Sequence, residues 1–225
     1  MRLASCGNKR HTDGMKTHFC GFRCFACGHE VGADFGGYVC PRCENNLEVR
    51  YDWPVGAPGR WWIDVARADI FRYRGLLPVA NLELAAPLRV GRTPLYPAPR
   101  LGQRAGLNNL FLKDDGQNPS ASFKDRAGAV ALVRARETGV SVISGASTGN
   151  AGSSMACLAA SVAMPCVIFV PETAPAAKIA QLLVFGAHVF AVRGTYDDAF
   201  DLCMAVCRER GWFNRNTGHN PFTRE

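Results

Sequence analysis

Lysine is scarce in this 225-residue chain: there are five, at Lys9, Lys16, Lys113, Lys124 and Lys178. The net charge of +7 therefore rests chiefly on arginine. The positive residues are scattered, with no long basic run, so the footprint expected of a nucleic-acid binder is missing and no nucleic-acid partner is expected. A local site for an anionic cofactor or substrate accounts for the positive excess equally well. No uninterrupted apolar stretch reaches the length of a membrane span, and the opening residues hold no apolar core of signal-peptide length. The expectation is a cytoplasmic protein with no membrane partner. Internal repeats and low-complexity tracts are also absent, which excludes solenoid and disordered classes.

What is present is apolar content of 48%, ample for a buried core. Residues 1–19 read as a polar tail and 20–51 as a short unit of Cys, Gly and turn residues. Residues 52–106 read as a linker that wraps the next domain, with a helix around 61–73. From 107 the rhythm alternates. Strands are expected at 109–113, 140–143, 166–170 and 188–192, with a fifth opening at 212–214. Helices are expected at 123–138, closed by Gly139, and at 150–163, 175–185 and 196–210. This spacing means βαβ units around a parallel sheet with right-handed crossovers. The pattern is still running at Glu225, so an incomplete α/β domain is expected over 107–225.

Ten cysteines could suggest a disulfide scaffold, but their arrangement argues against one. Cys157, Cys166, Cys203 and Cys207 lie in apolar or helical contexts where thiols pack as small hydrophobes. A reducing compartment fits this usage. Cys24-Phe-Ala-Cys27 and Cys40-Pro-Arg-Cys43 form two CxxC knuckles twelve residues apart. Four thiolates so placed can surround one zinc ion tetrahedrally in a closed structural site. A pair of redox motifs or incidental thiols is the alternative. Cys20 lies outside the paired pattern, and Cys6, His11 and His18 read as polar residues of the tail.

The densest chemical signal is Phe111-Leu-Lys-Asp-Asp-Gly-Gln-Asn-Pro-Ser-Ala-Ser-Phe-Lys-Asp-Arg126. A strand ends in acidic and turn residues, and Pro119 and the serines then start a helix. Lys124 falls in its first turn, where the positive end of the helix favours the neutral amine that nucleophilic lysines need. The plainer reading is a surface lysine paired with Asp125. A second loop, Ser144-Gly-Ala-Ser-Thr-Gly-Asn-Ala-Gly-Ser-Ser154, passes from strand to helix and can present amides to an anion. It lacks the Gly-Lys-Ser/Thr of a Walker loop and the spacing of GxGxxG. An ordinary capping turn is its plainer reading.

Ser122-Phe-Lys-Asp-Arg126 and Ser147-Thr-Gly-Asn-Ala151 resemble the lysine and asparagine loops of the tryptophan-synthase-like, fold type II, pyridoxal-phosphate (PLP) enzymes, and of threonine synthases above all. Leu47-Glu-Val-Arg-Tyr-Asp52 after the knuckles, Arg72-Tyr-Arg-Gly-Leu-Leu-Pro78, Gly91-Arg-Thr-Pro94, Phe185-Gly-Ala187, Gly194-Thr-Tyr-Asp-Asp-Ala199 and Asn220-Pro-Phe222 extend the likeness over most of the chain. The resemblance implies a zinc ribbon followed by an incomplete fold type II domain. It implies that Lys124 holds the cofactor and moves protons, that Asn150 bonds its phenolic oxygen, and that Phe123 lies in the cofactor site. Ser147 and Thr148 would then hold the substrate carboxylate. Arg126 and Lys178 read either as contacts for a substrate phosphate or as structural surface charges.

The implied activity is conversion of O-phospho-L-homoserine, a small amino-acid substrate, and water into L-threonine and phosphate, in a homodimer. Cysteate synthase and threonine dehydratase share these motifs. Relatives continue well past this point, and the glycine-rich loop for the PLP phosphate should follow Asn220, so the chain reads as truncated at its C-terminal side. A non-catalytic zinc-ribbon protein binding a partner subunit or nucleic acid, with the +7 charge as its only support, is the reading from a different class.

Overall fold

The computed structural model describes residues 17–53 and 63–224. Cys6, His11 and the start of the helix expected at 61–73 lie outside these residues. Among the described ones that stretch gives a 3-10 helix, Ile70–Leu76, opened by the Asp69 side chain accepting from the Phe71 amide.

The first unit is an antiparallel three-stranded sheet of β1 (Phe19–Cys24), β2 (Glu30–Gly32) and β3 (Leu47–Tyr51), in the order β2-β1-β3. Phe22 and Leu47 are fully buried. They do not form a separate core. Phe22 meets the ring of Phe222 edge-on at 5.3 Å, near the far end of the chain. Arg224 donates to the carbonyl of Leu47 at 2.5 Å. The segment after β3 then wraps the C-terminal end of a long helix, α2 (Lys124–Glu137). There Glu137 accepts the amides of Ala80 and Asn81, and Arg136 donates to Leu84.

The strand expected at 109–113 exists as β5 (Phe111–Lys113), but it does not join the parallel sheet. It pairs antiparallel with β4 (Leu95–Pro97), with α1 (Pro99–Ala105) between them. Both β4 and α1 come from the stretch read as linker. Three exposed residues cannot serve as a buried central strand, and the two-stranded ribbon stands apart.

The parallel sheet has four strands in the order β8-β7-β6-β9: β6 (Ile143–Ala146), β7 (Cys166–Pro171), β8 (His188–Val192) and β9 (Phe213–Asn214). Helices α3 (Asn150–Ala160), α4 (Ala176–Val184) and α5 (Tyr196–Arg210) connect them. Alternation along β7 divides the core. Cys166, Ile168 and Val170 face α2 and α3, while Val167 and Phe169 face Ala199 and Cys203 of α5. This is the period of two that a strand covered on both faces requires. Thr195 and Asp198 form a reciprocal capping box that starts α5, and Gly211, at φ +66°, ends it.

Strand β6 begins three residues later than its apolar run suggests. Residues 140–142 carry the chain up from the turn at Gly139, and Ser144-Gly-Ala146 fills the sheet instead. Small residues are needed there because the chain following β9 crosses β6 closely.

Candidate active site

Topology alone brings the two expected loops together. Helix α2 runs into β6 and α3 runs into β7, so both run against the strands. Their N-termini therefore share the carboxyl edge of the sheet, where ligands of open α/β sheets bind. Lys124 is the first residue of α2 and Asn150 the first of α3. The helices meet at Gly128, where a Cβ would come within 2.8 Å of both Ser154 Oγ and Leu158 Cδ1. Gly128 and Ser154 each lie four residues beyond Lys124 and Asn150, so this close approach draws the two N-termini side by side.

The lysine loop is braced by its own side chains. Asn118 accepts the Gly91 amide at 2.9 Å and donates to the Asp115 carbonyl at 3.0 Å. Asp125 is fully buried and accepts both the amide and the hydroxyl of Ser120, at 2.7 and 2.5 Å. Its carboxylate is thus committed inside the loop, which sets aside the reading of Lys124 as its surface partner. Ser122 Oγ accepts the Lys124 amide at 3.1 Å. The Lys124 ammonium lies 4.5 Å from the ring centroid of Phe123, which is 56% exposed. Among the described residues Lys124 has no carboxylate partner.

Arg126 does not share that freedom. It bonds Asp115 through Nε at 3.0 Å and Nη2 at 2.8 Å, and reaches Thr93 Oγ1 at 3.2 Å. The hydrogen bonds from Arg126, against some desolvation, hold the Asp115 carboxyl down to about 2. Lys178 lies exposed in the first turn of α4.

In the second loop Ser147 is buried, and its Oγ accepts the amides of Gly149 at 3.3 Å and Gly152 at 3.0 Å. Among the described residues its hydroxyl proton meets no acceptor. Thr148 is half-buried and Asn150 exposed. The amides of Thr148, Asn150 and Ala151 meet no protein acceptor among the described residues, and no side chain caps α3. Unused donors at the positive end of an eleven-residue helix form a cradle for an anion. These are the donors a carboxylate or phosphate-bearing cofactor system needs, and the nearby amine of Lys124 fits the same assignment.

Sequence reasoning passed over most of a third component, the polar run after β9, of which the family resemblance had singled out Asn220 alone. Asn214, Arg215, Asn216 and Asn220 are all buried. Asn216 Oδ1 accepts the amide of Ala146, the last residue of β6, at 2.8 Å. Asn214 Oδ1 accepts the Asn216 amide at 2.9 Å, and Asn220 donates to the Asn214 carbonyl at 2.6 Å. The Tyr196 hydroxyl donates to the Ala146 carbonyl at 3.1 Å. The available signal was a polar run directly after an expected parallel strand, where side chains face ligands instead of core.

The four knuckle cysteines converge within the first unit. Their sulfurs all lie within 4.8 Å of one another, with pairs at 3.4, 3.5 and 3.6 Å. A tetrahedral site with zinc–sulfur bonds of about 2.3 Å places sulfurs about 3.8 Å apart. The amide of Cys27, against some desolvation, holds the Cys24 thiol down to about 6, while hydrogen bonding to Cys24 and Cys27 pushes the Cys43 thiol up to about 12. Cys20 stands outside the cluster. Gly28, at φ +67°, closes the first knuckle, and Glu44 occupies the same left-handed conformation after the second, at φ +57°.

Comparison with known proteins gives a consistent result. The family described as pyridoxal-phosphate dependent enzyme matches residues 87–225. The chain is 33% identical over 204 residues to a threonine synthase of Methanosarcina acetivorans and 35% identical over 206 residues to one of Methanocaldococcus jannaschii. Each match covers 90% of this chain and 50% of the relative, so the chain spans about half the length of these relatives. Among solved structures, maize serine racemase superposes with a TM-score of 0.53 at 22% identity, covering 59% of this chain and 40% of that one. A PLP-dependent aspartate racemase gives 0.52 at 22%, covering 58% and 41%. These two likenesses are of fold alone.

Proposed function

Because the chain belongs to the pyridoxal-phosphate dependent enzyme family, we propose that it serves a lyase converting O-phospho-L-homoserine and water into L-threonine and phosphate. The observation that carries this reading is the carboxylate-free amine of Lys124 beside the open amide cradle of α3. The likeness to threonine synthases supports the choice of substrate. When bound, PLP supplies an electron sink for carbanion chemistry at the substrate's α-carbon. Lys124 holds the cofactor and moves protons to and from the substrate carbons. Phe123 flanks the amine, and Asn150 donates to the ring's phenolic oxygen. Thr148 and the Ser147 proton bind the substrate carboxylate, together with the unused amides of the loop. Arg126 acts at one remove: held by Asp115, it fixes the lysine loop.

The four-cysteine cluster holds a structural zinc ion in this proposal, in line with the sulfur spacing. A cytoplasmic homodimer acting on a small amino-acid substrate completes it, on the family resemblance. No helix among the described residues is long and apolar enough to cross a membrane.

The test is chemical. PLP is added to the purified chain and the adduct is reduced with borohydride. Modified lysines are then mapped by mass spectrometry, with Lys124→Ala as control. Selective labelling of Lys124 supports the site, and equal labelling of all five lysines refutes it. Phosphate release from O-phosphohomoserine by the full-length protein then decides the reaction. Ammonia release from threonine without phosphate release would favour a dehydratase.

A further inference from the structure

Arg215 is a buried cation without a counter-charge. It is 3% exposed, and its Nε is sealed from solvent with no hydrogen-bond partner. No carboxylate or other acceptor is recorded for its guanidinium among the described residues. Every other buried polar residue of the run after β9 is bonded to a neighbour. An arginine buried this way is costly unless something negative completes it.

Its position says what that something is near. Strands β6 and β9 pair in parallel with Ser144 opposite Asn214, so Arg215 falls opposite Gly145. Its Cγ and Cδ lie 2.8 Å from where a Cβ on Gly145 would stand. Only glycine leaves the stem room to cross the strand. Asn216, clamped to Ala146, fixes the backbone on the next residue. The chain leaves β6 here into the 147–150 loop and enters β9 from α5 on the opposite face of the sheet. Neighbouring strands with connections on opposite faces define the crevice where α/β sheets take ligands.

We propose that Arg215 is the docking point for the distal phosphate of the substrate, a residue that selects a phosphomonoester amino acid over its free hydroxyl counterpart. The assignment deepens the proposed function and rests on it for the identity of the ligand. A fork of N–H donors suits a phosphate dianion, and a charge-assisted pair of this kind is strongest where water is excluded. Arg126 is engaged by Asp115 and Lys178 is exposed. Arg215 is thus a buried cation at this edge with its donors uncommitted.

Inorganic phosphate is the probe, titrated into the whole chain without PLP, with chloride as control. Binding by the wild type is followed by calorimetry and by the NMR signal of the Arg215 Nε–H, assigned through its loss in Arg215→Lys. Arg215→Met keeps the stem over Gly145 and removes the charge. The expected result is a shifted Nε–H signal and affinity about 10- to 100-fold weaker in Arg215→Met, with melting temperature unchanged or raised. Phosphate affinity undiminished in Arg215→Met, or an Nε–H signal that does not move, overturns the assignment. A purely structural arginine would instead lower the melting temperature and leave phosphate affinity alone. Should Arg215→Met not fold, the wild-type Nε–H titration still decides. Lys124 labelling is independent of this result, so failure of the phosphate site and failure of the PLP reading are told apart.

Discussion

Arg126 grips Asp115 with two hydrogen bonds of 3.0 and 2.8 Å, and the pair joins the first turn of α2 to the loop that precedes it. The geometry is bidentate and partly shielded, with the side chains 31% and 23% exposed. Asp115→Asn keeps the shape and removes the charge, and should cost about 1 kcal/mol, the upper range of an exposed pair. Arg126 bonding lowers the Asp115 carboxyl from 3.8 to about 2. A depressed carboxyl stabilises the fold above its unfolded value, so this contribution is present above about pH 4 and lost as pH falls toward 2. Acid unfolding of Asp115→Asn should lack that component. Identical acid transitions in the two proteins would show that the pair contributes nothing.

Gly128 sets two tendencies against each other. Alanine is favoured over glycine in a helix interior by about 1 kcal/mol. At this position the added Cβ would stand 2.8 Å from Ser154 Oγ and Leu158 Cδ1. Both belong to a packed, buried helix, and overpacking of that kind costs about 1–3 kcal/mol. Gly128→Ala should therefore destabilise despite its better propensity and push apart the N-termini that carry Lys124 and Asn150. Denaturant titration gives the sign, and a gain in stability would mean that α2 and α3 are less tightly joined than described.

The contrast between legible and illegible parts follows from which forces were local. Helix α5 was readable to the residue because Thr195, Asp198 and Gly211 write its ends in the sequence. The CxxC spacing and the Lys124 loop were readable for the same reason, since turn and capping chemistry act over a few residues. Strand β6 was misplaced because Ser144, Gly145 and Ala146 have little strand propensity. Their place in the sheet is imposed by β7 on one side and by Arg215 on the other. The pairing of β5 with β4 is equally non-local. Arg215 and Asn216 went unnoticed because a polar triplet after a two-residue strand looks like an ordinary loop until the sheet closes around it.

Tyr38 ties the cysteine unit to this edge. Its hydroxyl accepts the Asn214 amide at 3.2 Å, and its ring meets Phe213 edge-on at 5.7 Å. Burial pushes the phenol up to about 12. Tyr38→Phe keeps the ring contact and leaves the Asn214 amide without its acceptor, at a cost of about 1–3 kcal/mol. Because Asn214 also braces Asn216, amide exchange at residues 214–216 should quicken in the variant. Unchanged exchange there would show that the hydroxyl is not needed to hold the strand.

Removing the proposed zinc should be felt well beyond the knuckles. Phe22 and Leu47 of the cysteine unit share a core with Phe222, and Arg134 of α2 stacks over Phe222 at 4.5 Å and Phe19 at 5.4 Å. A three-stranded sheet this small holds itself together poorly on its own. Chelation should release one zinc per chain and loosen the packing of Phe222 against β1. Phe222→Ala, which removes a buried ring, should cost about 3–5 kcal/mol and make the zinc easier to strip. The two measurements are a colorimetric zinc titration and the melting temperature of each protein with and without chelator. If Phe222→Ala lowered the melting temperature by the same amount in both conditions, the cysteine unit and the C-terminal turn would be independent. A smaller loss in the chelated protein means that the metal supports the packing that holds residues 213–223 in place beside the carboxyl edge.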